Sequence, residues 1–169
     1  METTCLIRKM QTSDVKELSQ GFINQGWPGR EEILARYFLE QECGEREVLV
    51  AEVEGALAGY ITILPCAKQG PFAEIYPELS DFNVFEPFQN QGIGNLLLEE
   101  AEKRVRLISD KVTLGVGLHS GYGPAQRLYI KRGYIPDGTG VWYQNHQPAM
   151  NAVCEDIGEL VLYLSKNLF

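Results

Sequence analysis

The chain has 169 residues, 44% of them hydrophobic, and a formal net charge of -8 at neutral pH. This length and apolar content predict one domain over residues 1–169 with a core of its own. The acidic balance argues against a nucleic-acid or anionic-membrane partner, because both require a cationic surface. A cationic amine is mildly favoured as a ligand.

The N-terminus and the cysteines exclude further classes. The segment METTCLIRKM lacks the cationic start and long apolar stretch of a signal peptide, and no apolar run is long enough to cross a membrane. The four cysteines show no C-x-x-C spacing, so they indicate neither a zinc site nor a disulfide framework. We therefore expect a cytoplasmic protein with reduced thiols and no bound metal.

The first third of the chain predicts a strand, two helices and a hairpin. Residues 5–10 predict the strand, and Thr12 or Ser13 offers an N-cap for a helix whose inward residues include Leu18. A second helix is expected over about residues 30–41. Residues 47–53 and 58–64 are rich in Val, Ile and Leu and are separated by Glu54-Gly55, which predicts a β-hairpin.

A central strand, a polar loop and a helix follow in direct succession. Residues 78–85 predict the strand, and residues 89–94 read QNQGIG. The helix pattern places four residues on an apolar face, Leu97, Ala101, Val105 and Ile108. Its solvated face is expected to carry Glu99, Glu100, Glu102, Lys103 and Arg104.

The start of this helix is suited to an anion. First-turn amide N–H groups lack intrahelical partners, and the helix dipole makes this end partly positive. Gly92 and Gly94 allow positive φ angles and a close approach of oxygen atoms to the backbone. The surrounding side chains are uncharged. The loop therefore predicts a phosphate site that works through backbone amides.

The last third of the chain predicts two more strands and a short helix. Residues 111–118 alternate as in a half-buried strand, with Gly115 and Gly117 leaving one face bare. These glycines miss the G-x-G-x-x-G spacing, which excludes a dinucleotide-binding loop. Residues 124–131 predict the helix, with Gly133 at its exit, and residues 134–138 a short strand and turn. Residues 142–155 are expected to be irregular, and residues 159–168 to form a final strand that could pair across a homodimer.

Two motifs, in order, resemble those of the GNAT superfamily of acetyl-CoA-dependent N-acetyltransferases. Gln89 to Gly94 resembles the family's pyrophosphate-binding motif, whose usual form is Q/R-x-x-G-x-G/A. Residues 125–134, AQRLYIKRGY, resemble its A-x-x-L-Y-x-K-x-G-F/Y segment. The resemblance implies an α/β (α+β) fold with a mixed, mostly antiparallel central sheet. In that fold helices flank the sheet, which is split between the central strand and its parallel neighbour.

The resemblance also implies acetyl-CoA as cosubstrate and a primary amine of a small molecule as acceptor. Tyr129 corresponds to the general acid near the cofactor sulfur, and a phenol with a pKa near 10 can protonate a departing thiolate. Glu78, eleven residues before Gln89, corresponds to the base of some members, with Asp81 as a second candidate. The backbone N–H of Val84 is expected to meet the thioester carbonyl. The cofactor-binding loop comprises Gln89, Asn90, Gln91, Gly92, Ile93, Gly94 and Asn95.

Several residues admit two interpretations. Trp27 either lines the acceptor pocket or covers the core, and the bare glycines of the strand at 111–118 admit either a pantetheine arm or a closely packed helix. His119 and His146 have no triad partner at suitable spacing, so local hydrogen bonding or solvation is expected. Arg127 and Lys131 either steer phosphates or form surface ion pairs. Tyr122 stands where many members have a cofactor-contacting asparagine.

A non-catalytic acyl-CoA sensor or interaction module is the alternative function. Loss of Tyr129 or of the glycine loop would indicate it, and both are intact.

Overall fold

The computed structural model describes residues 4–169, so the first three residues of METTCLIRKM lie outside it. The elements are β1 Cys5–Lys9, α1 Asp14–Asn24, α2 Glu31–Glu42, β2 Glu47–Val53, β3 Ala56–Leu64, β4 Glu78–Val84, α3 Ile93–Val105, β5 Lys111–Gly117, α4 Gly123–Lys131, β6 Ile135–Tyr143 and β7 Leu160–Asn167. The strand order is β1-β2-β3-β4-β5-β7-β6, with β4 and β5 parallel. The predicted mixed, mostly antiparallel sheet is confirmed.

The chain divides into two compact units. The first unit comprises residues up to 64 together with 80–104, and the second comprises residues 65–79 and 105–169. Strand β4 begins in the second unit and continues in the first. Every strand pairing in the order above lies within one unit.

In the first unit, α1 and α2 cover one face of the β2–β3 hairpin. The shared core includes the following buried residues: Leu18, Phe22, Leu34, Tyr37, Val48, Val50, Tyr60 and Phe85. Glu54 and Gly55 both have positive φ angles, 50° and 83°, as the predicted tight hairpin turn requires. The two predicted helices and the hairpin are therefore confirmed.

The start of α1 differs from the prediction in its cap. Neither Thr12 nor Ser13 caps the helix through its side chain, and Ser13 itself has helical backbone angles. Instead the buried Asp14 carboxylate accepts a hydrogen bond from the Gln11 N–H at 2.7 Å and pairs with Arg8 at 2.7 Å. The Asp14 carboxylate, in the first turn of α1, thus holds the backbone just before the helix.

Helix α3 buries a continuous stripe that begins at Ile93 and passes through Leu97 and Ala101. Ile108 was predicted on this stripe, but the helix ends at Val105 and Ile108 lies in the following turn with 61% exposure. Glu102 was predicted on the solvated face and is instead buried. The hydrophobic periodicity of the sequence therefore predicted neither the end of the helix nor the burial of the Glu102 carboxylate.

Strand β4 is bent at Asp81, whose φ of 47° lies in the left-handed region. Next to this bend the Asn83 carbonyl comes so close to β3 that a Cβ on Gly59 would lie 2.2 Å from its oxygen. Phe85 resumes pairing by donating its N–H to the Ala58 carbonyl at 2.8 Å. The strand is not regular, so its side chains do not simply alternate between faces.

The second unit is built on β5. Residues Glu78 and Leu79 pair with it in parallel on one edge, and β7 pairs antiparallel on the other. β5 was predicted to be half-buried, but Thr113 is also buried, and its hydroxyl and N–H both donate to the Pro77 carbonyl at 2.8 and 3.1 Å. Only Gly115 is exposed on this strand.

Strand β6 is longer than predicted, and β7 matches the predicted final strand to within one residue at each end. Strand β6 extends from Ile135 to Tyr143, with a register irregularity between Pro136 and Val141. The expectation that residues 142–155 are all irregular is therefore wrong at Trp142 and Tyr143. β7 pairs with β5 on one side and β6 on the other, so the final strand has no free edge for pairing across a dimer.

Replacing Gly59 by alanine tests the close approach of β4 to β3. The new methyl group would overlap the Asn83 carbonyl, so we expect unfolding in urea to require at least about 2 kcal/mol less free energy. Gly123→Ala is the matched control, because a Cβ there would meet no atom within 4 Å and φ is -52°. Equal stability of the two variants would contradict the described packing.

Candidate active site

The loop between β4 and α3 turns its side-chain amides back onto its own backbone. Gln89 Nε2 donates to the Val84 carbonyl at 2.9 Å, and Gln91 Nε2 donates to the Pro87 carbonyl at 3.0 Å. Asn90 and Gly92 have φ angles of 59° and 82°. Left-handed residues in such a loop turn backbone N–H groups toward one concave side. The loop therefore presents main-chain amides to solvent.

Gly92 is required for its backbone angle. No heavy atom lies within 4 Å of a Cβ built on it, but its φ disfavours any side chain. Gly94 lies inside the first turn of α3, where Ile93 is buried and anchors the helix start. The first-turn amides of Ile93 and Gly94 have no carbonyl available within the helix.

Val84 adjoins this loop through the Gln89 bond to its carbonyl. The N–H of Phe85, the next residue, is donated to the Ala58 carbonyl of β3 at 2.8 Å. The residue is half-buried. Val84 and the loop thus belong to one continuous backbone segment of the first unit.

Asp81 is the centre of a polar cluster in the first unit, which we call the Asp81 cluster: Asp81, Arg30, Tyr37, Tyr60 and Asn83. Arg30 binds both carboxylate oxygens, at 3.0 and 2.8 Å. Tyr37 and Tyr60 each donate to Oδ2 at 3.0 Å, and Asn83 donates to Oδ1 at 2.8 Å. Five donors occupy a carboxylate that has about four lone-pair directions. The carboxylate is therefore poorly placed to accept a proton from an incoming amine.

The pKa values in this cluster follow from burial and from the Asp81 charge. Burial raises the pKa of the Tyr60 and Tyr37 hydroxyls, and the Asp81 carboxylate raises both further. Burial lowers the pKa of Arg30, but its hydrogen bond to Asp81 and the nearby negative charge outweigh this and raise it. Both tyrosines therefore stay protonated donors, and Arg30 stays charged.

Sequence analysis identified Asp81 but missed its partners. Arg30 lies 51 positions before Asp81 and Tyr60 lies 21 positions before it. No local pattern connects residues at such separations. The only signal was a charged residue in a strand made mostly of buried residue types.

In the second unit, Tyr129 is 7% exposed at the inner side of α4. Burial raises the pKa of its hydroxyl above the usual value near 10. Gly133, with a φ of 93°, ends the helix and lets Tyr134 pack edge-on against Tyr129, with ring centroids 5.9 Å apart. Within the segment at residues 125–134, the Tyr134 ring therefore holds the Tyr129 ring in place.

Glu78 lies at the start of β4, opposite Thr113. Burial raises the pKa of Tyr163, and the nearby negative charge of Glu78 raises it further, to about 12. The Tyr163 ring also stacks edge-on with Trp142 at 5.8 Å. A carboxylate and two aromatic rings are thus neighbours within the second unit.

The glycines of β5 are covered by aromatic rings. A Cβ on Gly115 would lie 3.0 Å from Tyr163, and one on Gly117 would lie 2.5 Å from Tyr122. Close packing therefore accounts for both glycines, and it comes from an aromatic ring of β7 and from one in the short helical turn at Ser120–Tyr122. A pantetheine arm beside this strand stays a prediction. Tyr122, which stands in the place of the expected asparagine, has a packing partner in Gly117.

The remaining candidates have local or exposed positions. Trp27 is 62% exposed, so the interpretation that it covers the core is wrong. His119 accepts a hydrogen bond from the Gly121 N–H at 3.0 Å, and His146 contacts the Gln144 carbonyl at 3.3 Å, as expected for local bonding. Arg127 and Lys131 are exposed.

Residues 4–169 contain neither a metal-binding cluster nor a helix that could span a membrane. No group of three or more His, Cys, Asp or Glu side chains there could hold a metal ion. Among the helices of the same residues, none has both the length and the apolar character that a membrane span needs.

The fold and the β4–loop–α3 segment define an acetyltransferase class. Residues 13–134 match the family model described as acetyltransferase (GNAT) family, which is most of the chain. The chain therefore belongs to the GNAT family of acetyltransferases. No curated protein matches the sequence significantly.

Solved structures of low sequence identity share the fold. An N-acetyltransferase from Staphylococcus aureus Mu50 is 14% identical with a TM-score of 0.74, and 99% of this chain and 100% of that one align. The yncA protein of Salmonella typhimurium, solved with its cofactor acetyl-CoA, is 19% identical with a TM-score of 0.69 over 98% and 94% of the chains. The ribosomal-protein-S18-alanine N-acetyltransferase of Escherichia coli is 16% identical with a TM-score of 0.68 over 98% and 94%.

Replacing Glu78 by glutamine tests its proximity to Tyr163. Because the negative charge disfavours a second one nearby, the variant should lower the pKa of Tyr163 below about 12. The ¹³Cζ resonance of Tyr163, followed by NMR between pH 9 and 11, should show a larger ionised fraction in the variant. Identical titration curves in the two proteins would contradict the proximity.

Proposed function

We propose that this chain is a cytoplasmic N-acetyltransferase that transfers the acetyl group of acetyl-CoA to a primary amine of a small molecule. The observation that supports it most is the loop at residues 89–94, which presents main-chain amides before α3 in a chain of the GNAT family. The match covers residues of both units, which supports one catalytic domain.

The loop fits a pyrophosphate. The amides of Asn90, Gln91, Gly92, Ile93, Gly94 and Asn95 are the proposed donors to its oxygens. Gln89, whose N–H is donated to the Glu86 carbonyl at 3.2 Å, instead holds the loop through its side chain. The helix dipole and the first-turn N–H groups favour this negative charge without a lysine. The acetyl-CoA of the Salmonella typhimurium relative agrees with this choice of cosubstrate.

The proposed reaction is a direct attack in a ternary complex. The amine nitrogen forms a bond to the thioester carbonyl carbon, and the carbon–sulfur bond then breaks. The carbonyl oxygen, which gains negative charge, accepts a hydrogen bond from the Val84 N–H, a contribution worth a few kcal/mol in comparable sites. The acetylated amine and free CoA are the products.

Glu78 and Tyr129 are the proposed proton carriers. Glu78 takes the proton of the amine, directly or through water, and it is preferred to Asp81 because five donors already occupy the Asp81 carboxylate. Tyr129 gives its proton to the departing thiolate. Burial raises the pKa of this phenol, which keeps it protonated across the neutral range but also makes it a weaker acid.

Thermal unfolding with and without acetyl-CoA tests the cofactor site. A ligand that binds only the folded state adds about 2.7 kcal/mol of stability at a hundredfold excess over its Kd. We expect a clear rise in Tm for the parent chain and none for Gly92→Val. Gly55→Val is the matched control, because Gly55 has a φ of 83° and equally open surroundings but lies in the β2–β3 turn. The control should keep the rise in Tm, and its loss in both variants would argue against a specific site at Gly92.

Replacing Tyr129 by phenylalanine tests the general acid. We expect kcat to fall about 100-fold because proton donation is lost, while the Kd for acetyl-CoA is unchanged. Tyr134→Phe keeps the ring pair and should retain most of the parent's kcat. Equal kcat for the parent and Tyr129→Phe would remove the acid role.

Turnover of Glu78→Gln across pH tests the base. The loss should be greatest at low pH, because a free amine forms unaided only near its own pKa of about 10. If the variant's profile has the parent's shape and height, Glu78 is not the base.

A panel of acceptors tests the substrate class. It should contain small primary amines and peptides with an N-terminal alanine, since the Escherichia coli relative is named for the alanine of a ribosomal protein. Acetylation of peptides alone would overturn the small-molecule part of the proposal. Light scattering on the same samples decides whether the chain forms a homodimer.

A further inference from the structure

Strand β4 departs from regular geometry just before Val84. Asp81 has a left-handed backbone, and the Asn83 carbonyl faces a position on β3 that only glycine can occupy. Since the direction of each backbone N–H is set by the preceding residues, this bend determines where the Val84 N–H points.

Three elements hold the bend through the Asp81 carboxylate. Arg30, immediately before α2, and Tyr37, within α2, bind it from the helix side. Tyr60 binds it from β3 and also accepts a hydrogen bond from Arg30 at 2.6 Å. Asn83 closes the cluster from β4 itself. The carboxylate is thus fixed relative to the sheet and to α2.

A second set of bonds holds the residue before the bend. The Thr62 hydroxyl donates to the Ser80 carbonyl at 2.8 Å and accepts from the buried Arg46 guanidinium at 2.7 Å. Arg46 lies 4.1 Å from the centre of the Tyr37 ring. Side chains therefore restrain β4 on both sides of the Ser80–Asp81 peptide.

Stability alone is a weak explanation for these contacts. The Arg30 and Asp81 side chains are partly buried, 23% and 16% exposed, so the attraction between them is offset by the hydration that they lose. All four partner side chains bind the one carboxylate at the bend of β4. Such an arrangement is expected where the direction of a backbone group matters for function.

We infer that the Asp81 cluster is a positioning device that aims the Val84 N–H at the thioester carbonyl. This inference rests on the proposed function, because it concerns the same acetyl group. The five side chains do not act on the reacting atoms; they act through the bend. A hydrogen bond weakens steeply as its angle departs from linearity, so a small rotation of β4 reduces the stabilisation of the developing oxyanion.

Tyr60→Phe is the direct test. The substitution keeps the aromatic ring against Phe22 but removes the bonds to Asp81 and Arg30. We expect kcat to fall about tenfold or more, while the KM values for acetyl-CoA and amine stay within about twofold. Asp81→Asn, which tolerates the left-handed angle but lacks the charge, should show the same pattern more strongly.

Infrared spectra of bound [1-¹³C]acetyl-CoA report on the hydrogen bond to the thioester carbonyl and do not change when the protein only becomes less stable. In the parent chain the ¹³C carbonyl band should lie at lower frequency than in free acetyl-CoA, because the Val84 N–H polarises the bond. In Tyr60→Phe the band should return toward the free value. Val48→Ala, a core substitution in the same unit, is the control for lost stability and should keep the parent's band and kcat below its Tm.

The outcomes separate the two proposals. If the parent chain binds no acetyl-CoA, the proposed function fails and the inference fails with it. If the parent binds and turns over acetyl-CoA with a lowered carbonyl band, and Tyr60→Phe changes neither band nor kcat, only the positioning role is overturned. Loss of the band shift in Val48→Ala as well would also overturn it, since any destabilisation would then suffice.

Discussion

The contact between Gly59 and the Asn83 carbonyl is the constraint on which the first unit depends. Gly59 has no Cβ, and only for that reason can the Asn83 carbonyl of β4 come this close to β3. The bend returns the chain to β3 at Phe85, whose ring packs on Phe22 and against Gly21 of α1. The loop and α3 then begin from a fixed position. One missing methyl group thus sets the start of the whole β4–loop–α3 segment.

Two carboxylates of this unit, the buried Asp14 and the partly buried Asp81, are held in the same way. Asp14 at the start of α1 and Asp81 beside α2 are each bound by an arginine through two nitrogen–oxygen contacts. Among the described residues, no buried side-chain nitrogen or oxygen lacks a partner. Polar side chains in the interior therefore bind other side chains or backbone carbonyls, as Thr62 binds Arg46 and the Ser80 carbonyl.

Most of the fold was predictable where the signal is local. The Glu54-Gly55 turn, the Pro124 start and Gly133 end of α4, and the glycine loop each depend on the backbone preferences of one or two residues. The candidate site was predictable only through its two motifs. Whether the motif residues have the roles that the resemblance assigns to them awaits the kinetic tests.

What could not be predicted depends on distant partners. The rings over Gly115 and Gly117 come from Tyr163 and Tyr122, and neither the strand pattern nor its glycines specify which side chain arrives. The burial of the polar Thr113 in β5 depends on the Pro77 carbonyl, which lies 36 positions earlier in the chain. Ile108 was misplaced because apolar periodicity continues in sequence beyond the last turn of a helix.

The hydrogen bond from Gln89 to the Val84 carbonyl explains which residue types suit the first position of the loop motif. That side chain supplies an N–H to its own main chain, five residues back. The position therefore demands reach and a donor, and the family's usual choice of glutamine or arginine satisfies both. A glutamate has the same reach but no proton to give when ionised. In this protein the side chain at the first position of the motif stabilises the conformation of the loop itself, with or without a ligand.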